Sequence, residues 1–541
     1  METAHLDRFV LERLPPLRQW PEFRFDRPEF LYPERLNAAA ALIGAAVDAG
    51  NGPRQALLFP GGRWTYHDLA RTSDKIAAVL AEDFALRPGA RVLLRGSNGP
   101  MLAAAWLAVL KVGAVVVVTM PMLRSRELAF VSDKARIDAC LCEDIFLEEL
   151  ERAAPEAPIV SFSRNGTAGD THLERLMHAK EGAFAPIATF ATDPALIAFT
   201  SGTTGDPKAT VHFHRDVLAI ADAFPRSILG ACGDDRFLCS APLAFTFGLG
   251  GQLVFPLRFG AASVLLPSAT PDQFLDAMCE FRPTIAMTAP TAYRAMTERA
   301  ASCDLASLRH CVSAGEHLPA ATLRNWEAAT GHGIVNGLGS TELLHIFVSS
   351  PCAEAKPGST GRALPGYIAA VLNEELEPAA CGEVGRLAVK GPTGCRYLDD
   401  PRQENYVQRG WNLTGDACVM DEDGFVWFQS RTDDMIVSSG YNISGHEVEE
   451  AVLRHSSVQE CAVVGVPDAE RGHIAKAFIV IKPGKAPSPE LAREIQDFVK
   501  GDIAPYKYPR AIAFLETLPR NASGKVQRFV LRETEEQENR T

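Results

Sequence analysis

Short runs of Val, Ile, Leu and Ala recur along the chain, separated by longer amphipathic stretches. Residues 91–95, 115–119, 195–200, 261–267 and 284–289 read as strands, with 65–81 and 125–134 as helices between them. Runs this short suit buried strands, and the stretches between them suit crossover helices. The alternation therefore predicts βαβ units and mainly parallel sheet. A chain of 541 residues exceeds one compact core, so more than one domain is expected. The boundary is expected near Arg431. Just upstream, 421–425 reads as a tight turn; downstream, 448–454 and 489–503 read as helices and 461–466 and 475–482 as strands. The expected fold is α/β. A large N-terminal domain of mainly parallel sheets and helices spans 1–430, and a small α+β C-terminal domain spans 431–541. From about Glu533 the sequence is highly charged and is expected to fray.

The strongest membrane candidate, 102–120, is interrupted by Lys111 and Gly113. It reads as a helix followed by a buried strand, not as a span. The first residues lack the basic segment and apolar run of a signal peptide, which points to the cytoplasm. A net charge of −13 argues against non-specific binding of nucleic acid or docking on anionic membranes. Twelve cysteines are scattered, and the closest pairs, Cys140 with Cys142 and Cys232 with Cys239, lack C-x-x-C spacing. They read as buried free thiols of a reducing compartment.

The sharpest local signal is Thr200-Ser201-Gly202-Thr203-Thr204-Gly205-Asp206-Pro207-Lys208, directly after an apolar strand. Glycines let backbone N–H groups approach an anion, hydroxyls donate to it and the lysine adds charge, so the loop suits a phosphate chain. Its order is not that of a Walker loop.

This nonapeptide resembles the phosphate loop of the acyl-adenylate-forming superfamily: acyl-CoA synthetases, peptide-synthetase adenylation domains and firefly-type luciferases. Further motifs follow in the expected order, and the resemblance runs from about residue 31 to 532. Gly339-Ser340-Thr341-Glu342 is similar to the family's Gly-x-Thr-Glu. That resemblance implies that Thr341 contacts phosphate and that Glu342 holds the magnesium on ATP, a hard cation that prefers carboxylate oxygen. Leu338 stands where many relatives carry an aromatic residue against adenine. Ser313-Ala314-Gly315-Glu316 and Asn336 resemble adenine-side elements, and an asparagine can both donate and accept as an adenine edge requires. Thr414-Gly415-Asp416 and Arg431 resemble the ribose contacts. Asp433 falls on the hinge position, which makes the C-terminal domain a mobile one, and Ser430 replaces the usual glycine before Arg431. Ser439, Gly440 and Tyr441 lie in a loop that in relatives enters the site for the thiol step. Lys525, in Leu518-Pro519-Arg520-Asn521-Ala522-Ser523-Gly524-Lys525, resembles the catalytic lysine that bridges substrate carboxylate and α-phosphate.

The resemblance implies an ATP-, Mg2+- and coenzyme A-dependent ligase, a monomer or homodimer, acting on a small carboxylic acid through its acyl-adenylate. The acid is expected near Phe245, Thr246, Phe247, Ala314, His345 and Ile346. These stretches resemble the benzoate-CoA ligase subgroup, and within it 2-aminobenzoate (anthranilate)-CoA ligases, and aromatic walls suit a flat ring. Phe245 and Phe247 also admit a reading as core, and His345 reads as either a carboxylate contact or a satisfied buried histidine. Two rivals share most motifs: an adenylation enzyme loading a carrier protein in trans, and an inactive nucleotide sensor. Against the sensor, Lys208, Glu342, Asp416 and Lys525 are all present.

Overall fold

The structure, a computed structural model, describes residues 2–166, 171–200, 207–432, 434–438, 441–468, 471–503, 507–520 and 524–538. The chain divides into two units: residues 1–201, 207–368 and 389–412 form the larger, and 202–206, 369–388 and 413–541 the smaller. The smaller unit therefore begins upstream of the Arg431 boundary expected from sequence, because the hairpin Trp411–Met420/Val426–Arg431 groups for the most part with the C-terminal strands and helices.

The larger unit holds two sheets. One has nine strands in the order Arg362–Ala363, Ile346–Ser349, Ile334–Gly339, His310–Ala314, Ile285–Thr288, Arg236–Cys239, Ala262–Val264, Gln55–Phe59 and Gly62–Thr65. Its six central strands are parallel and its edges antiparallel. The other has six strands, ordered Ile159–Phe162, Ala139–Glu143, Arg91–Arg95, Val115–Thr119, Pro194–Thr200 and Lys208–Phe213; only the last pair is antiparallel. The strands read from sequence are present, although 261–267 shortens to Ala262–Val264. The helix Tyr66–Ala78 starts where expected because Thr65 and Asp68 cap it reciprocally. The suspected apolar stretch is a helix, Pro100–Lys111, then the buried strand Val115–Thr119. Lys111 ends that helix on Asp74, 2.6 Å away, so its charge is paired inside. Among the described residues no helix is long and apolar enough to cross a membrane. All twelve cysteines are free and six are buried, so the sequence expectation of buried thiols holds for only part of them.

The smaller unit carries a second core. Strands Tyr441–Ile443, Ile436–Ser438, Gly472–Ile481 and Val458–Asp468 are antiparallel neighbours, and Ala511–Phe514 lies parallel beside Gly472–Ile481. The helices Gly445–Leu453 and Pro489–Asp502 press Val448, Val452, Ile495 and Val499 onto Ile436, Val463 and Ile479. The end of the chain departs from expectation. Arg528–Glu538 is helical beyond Glu533, and its buried Glu535 accepts from Lys476 at 2.5 Å. An internal ion pair anchors what composition alone marks as a solvated tail.

Candidate active site

In the larger unit the expected residues gather at the carboxyl ends of parallel strands, where open α/β sheets bind ligands. Thr200 and Lys208 pair across neighbouring antiparallel strands, on either side of the loop read from sequence. That loop, with Ser201, Gly202, Thr203, Thr204 and Gly205, lies outside the described residues. Lys208 Nζ sits 5.3 Å from the ring centroid of Tyr397, and the Tyr397 hydroxyl donates to Glu342 Oε1 at 2.6 Å. The structure thus brings Lys208 and Glu342 onto one phenol. Burial, reinforced by the Glu342 charge, raises the Tyr397 pKa far above the ordinary phenol value, so the donor proton stays on oxygen.

Thr341 and Glu342 follow the strand Ile334–Gly339. The Thr341 carbonyl accepts from His212 Nε2 at 2.8 Å, which places the His212 proton on Nε2. Behind this turn Arg396 and Asp216, both fully buried, pair at 2.8 Å. Burial alone would raise the Asp216 carboxyl; the Arg396 guanidinium, helped by Arg215, holds it well below the usual carboxylate range. The Arg396 guanidinium also stacks on Phe213 and Phe23, 3.9 and 4.4 Å from their centroids.

Among adenine-side candidates, Ser313 and Ala314 end the strand His310–Ala314, Glu316 follows, and Asn336 stands beside Ser313 on the next strand. Ser349 Oγ donates to the Asn336 carbonyl at 2.7 Å. Gly339 pairs with Ile346 and Ala314 with Gly337. Ile346 is buried against Gly337, where an added Cβ would lie 2.5 Å from Ile346 Cδ1 and force that side chain to shift.

The acid-side candidates meet around His345. Its ring lies 5.6 Å from Phe247, 5.9 Å from Phe224 and 4.5 Å from Phe255. Burial pushes its pKa down to about 3, only weakly opposed by the Phe247 backbone. The ring is buried and neutral at neutral pH, but neither ring nitrogen has a hydrogen-bond partner among the described residues, so it is not the satisfied histidine that was one of the two roles open from sequence. Thr246 and Phe247 open the short helix Thr246–Leu249, half-buried, with Phe245 at its N-cap. Ring contacts join Phe247, but not Phe245, to His345.

In the smaller unit, Asp416 and Arg431 face each other across the hairpin, and Arg431 bonds Asp416 Oδ1 and the Thr414 carbonyl, each at 2.9 Å. Gly415 has φ +76°, and a Cβ there would come within 2.5 Å of Arg431 Nη2. The ribose candidates thus form one cross-strand unit, and the positive φ at Gly415 within the strand favours glycine. Lys525 is exposed, next to Val526, which bridges to Arg520; Arg520 also donates to the Gly524 carbonyl at 2.7 Å. Asp433, Ser439 and Gly440 lie outside the described residues, as does the Tyr441 side chain.

Among the described residues no three His, Cys, Asp or Glu side chains cluster as a metal site. Among the candidates, Glu342 is the carboxylate that could hold a magnesium ion, a hard cation suited to oxygen ligands. Sequence reasoning missed Tyr397, Arg396 and Asp216, and left His212 as structural. Tyr397 lies 55 residues from Glu342, so no local spacing signals their contact.

A family model described as AMP-binding enzyme matches residues 45–396, and one described as AMP-binding enzyme C-terminal domain matches 447–525. A benzoate–CoA ligase of Thauera aromatica is 34% identical over 513 residues, 93% of this chain and 97% of that one. A 4-hydroxybenzoate–CoA/benzoate–CoA ligase of Rhodopseudomonas palustris is 32% identical over 509 residues, 92% and 94%. The crystal structure of an anthranilate CoA ligase in complex with anthranoyl-AMP superposes with a TM-score of 0.88 at 32% identity, covering 94% of this chain and 99% of that one. That of a benzoate CoA ligase from Burkholderia xenovorans LB400 gives 0.83 at 32% identity, covering 92% and 100%. With both family models matched in order and relatives aligned over nearly their whole length, the chain belongs to the AMP-binding enzyme family, among its benzoate–CoA ligase-like, AMP-forming acid–thiol ligases.

Proposed function

We propose that the chain converts an aromatic carboxylic acid of the benzoate type, with 2-aminobenzoate among the preferred substrates, to its CoA thioester through the aryl-adenylate. The observation that carries this reading is the uncharged aromatic cluster that Phe224, Phe247 and Phe255 form around His345, three residues after Glu342. A flat ring suits such walls, and a long flexible chain does not.

In the first step a carboxylate oxygen attacks the α-phosphorus of ATP, the bond to the β-phosphate breaks and pyrophosphate leaves. Negative charge builds on phosphate oxygens, and fixed donors and cations stabilise it. Lys208 supplies one such charge, and Lys525 is assigned the contact bridging acid and α-phosphate. When bound, magnesium neutralises charge on the phosphate chain. Glu342 is the carboxylate assigned to hold it, with Thr341 on phosphate, Glu316 and Asn336 toward adenine, and Asp416 and Arg431 on ribose. In the second step the coenzyme A sulfur attacks the acyl carbon, its proton is lost and AMP departs. Re-orientation about Asp433, bringing in the loop that carries Ser439, Gly440 and Tyr441, separates the two steps.

ATP–pyrophosphate exchange against a panel of acids, with and without coenzyme A, tests this reading. Benzoate-type acids are expected to support exchange and to yield thioester when coenzyme A is added. Preference for long-chain acids would overturn the aryl assignment, and transfer only to a carrier protein would overturn the thioester. Thr246 refines the substrate. A hydroxyl facing the ortho position accepts from an amino group for about 0.5–1.5 kcal/mol, roughly 2- to 12-fold in preference. Thr246→Ala is expected to lower kcat/KM for 2-aminobenzoate by that factor and leave benzoate nearly unchanged. An unchanged ratio removes Thr246 from recognition.

A further inference from the structure

We propose that Tyr397 is a positioning residue for adenylation: its hydroxyl orients the Glu342 carboxylate toward the magnesium–ATP complex while its ring face holds the Lys208 ammonium beside it. The proposal rests on the reading of Glu342 as the magnesium-side carboxylate. A glutamate and a lysine converging on one phosphate site tend to pair with each other, and that internal pair would withdraw both from the nucleotide. The Tyr397 phenol touches both groups at once. It donates to Glu342 Oε1 at 2.6 Å, a hydrogen bond strengthened by the acceptor's charge, and so fixes which way Oε2 points. Its ring centroid lies 5.3 Å from Lys208 Nζ, within cation–π range, which holds the ammonium without consuming its charge.

The phenol itself is built to stay in place. Tyr397 is 1% exposed. Its N–H donates to Gln403 Oε1 at 2.8 Å, and its backbone bridges to Thr210, two residues along the strand from Lys208. The ring packs edge-on against Tyr406 at 5.7 Å. The preceding residue, Arg396, is locked by its buried bond to Asp216 and by the Phe213 and Phe23 rings. The backbone and the ring are thus held without the hydroxyl, whose proton goes to Glu342, a task that a phenylalanine could not perform.

Four variants test this: Tyr397→Phe, Tyr397→Leu, Glu342→Gln and the double variant of Tyr397→Phe with Glu342→Gln. The readouts are the magnesium concentration that half-saturates binding of a fluorescent ATP analogue, and the KM for magnesium–ATP against kcat in pyrophosphate exchange. Tyr397→Phe is expected to raise the magnesium half-saturation about tenfold, the scale of a lost hydrogen bond to a charged group. Because Tyr397 acts through Glu342, the double variant is expected to be no worse than Glu342→Gln alone. Tyr397→Leu, which also removes the ring face, is expected to weaken magnesium-free binding of the analogue; Tyr397→Phe carries the decision if the leucine variant does not fold. Wild-type magnesium dependence in Tyr397→Phe, or full additivity in the double variant, overturns the proposal. Wild-type magnesium dependence in Glu342→Gln overturns the assignment of Glu342, and the proposal with it.

Discussion

Lys525 shows how little one residue says by itself. It is exposed near the end of a charged sequence, and by composition it is a solvated lysine. Only its place after five other motifs marks it as the adenylation lysine. Lys525→Ala is expected to slow adenylation on the order of 100- to 1000-fold, the scale of one lost preorganised charge, while sparing thioester formation from pre-made aryl-adenylate. Single-turnover rates of each half-reaction measure this, and an equal loss in both would show a role beyond the first step. The residues legible in the sequence are those carried by contiguous motifs, such as Thr341 with Glu342 and Asp416 in its Thr-Gly-Asp run. The illegible ones act across the fold. Tyr397 and Arg396 meet Glu342 and Asp216 only because the sheet places their backbone beside the strand Lys208–Phe213. The state of His345 was equally hidden: a histidine's charge depends on burial, and burial here comes from three phenylalanines at distant positions.

Among elements, the helix Gly445–Leu453 is fastened by chemistry that periodicity does not reveal. Its apolar face was legible; its buried Glu449 was not. Glu449 accepts from Arg528 at 2.8 Å and from the Val463 N–H at 2.7 Å, and His446 lies 2.8 Å away. Burial opposes its ionisation, yet Arg528, His446 and the Val463 bond prevail and bring its pKa down from 4.5 to about 2. Glu449→Gln removes the carboxylate that pairs with Arg528, a loss of about 3–5 kcal/mol for a broken buried pair. Hydrogen exchange of the helix and of the strand Val458–Asp468 is expected to accelerate on the order of 100-fold or more. The sign of the pH dependence comes from the lowered pKa. The stabilisation is complete above about pH 4.5, the unfolded value, and is lost as pH falls toward 2. In urea denaturation the gap between wild type and Glu449→Gln is therefore expected to be full at pH 7 and to close through that window. A constant gap down to pH 2 would show that the carboxylate charge is not the cause.

At the scale of the whole molecule, the proposed hinge at Asp433 makes a prediction that does not depend on the substrate. Limited proteolysis is expected to cut near residues 430–440, and a bound ATP analogue to protect that segment, because a ligand that favours one arrangement raises the cost of opening. Cleavage confined elsewhere would undermine the boundary there, and cleavage near 412 would favour the last point at which the contacts divide. By itself the sequence determined the α/β class, the order of strands and helices, and the motifs of the nucleotide site. These depend on local periodicity and on short loops whose residues are contiguous. Only the tertiary structure decided the sheet order, the early start of the smaller unit, the helical end of the chain and the partners of each charge. Those depend on which distant segments share a buried interior, where an unpaired charge is costly and a neighbour from any part of the chain can pair it.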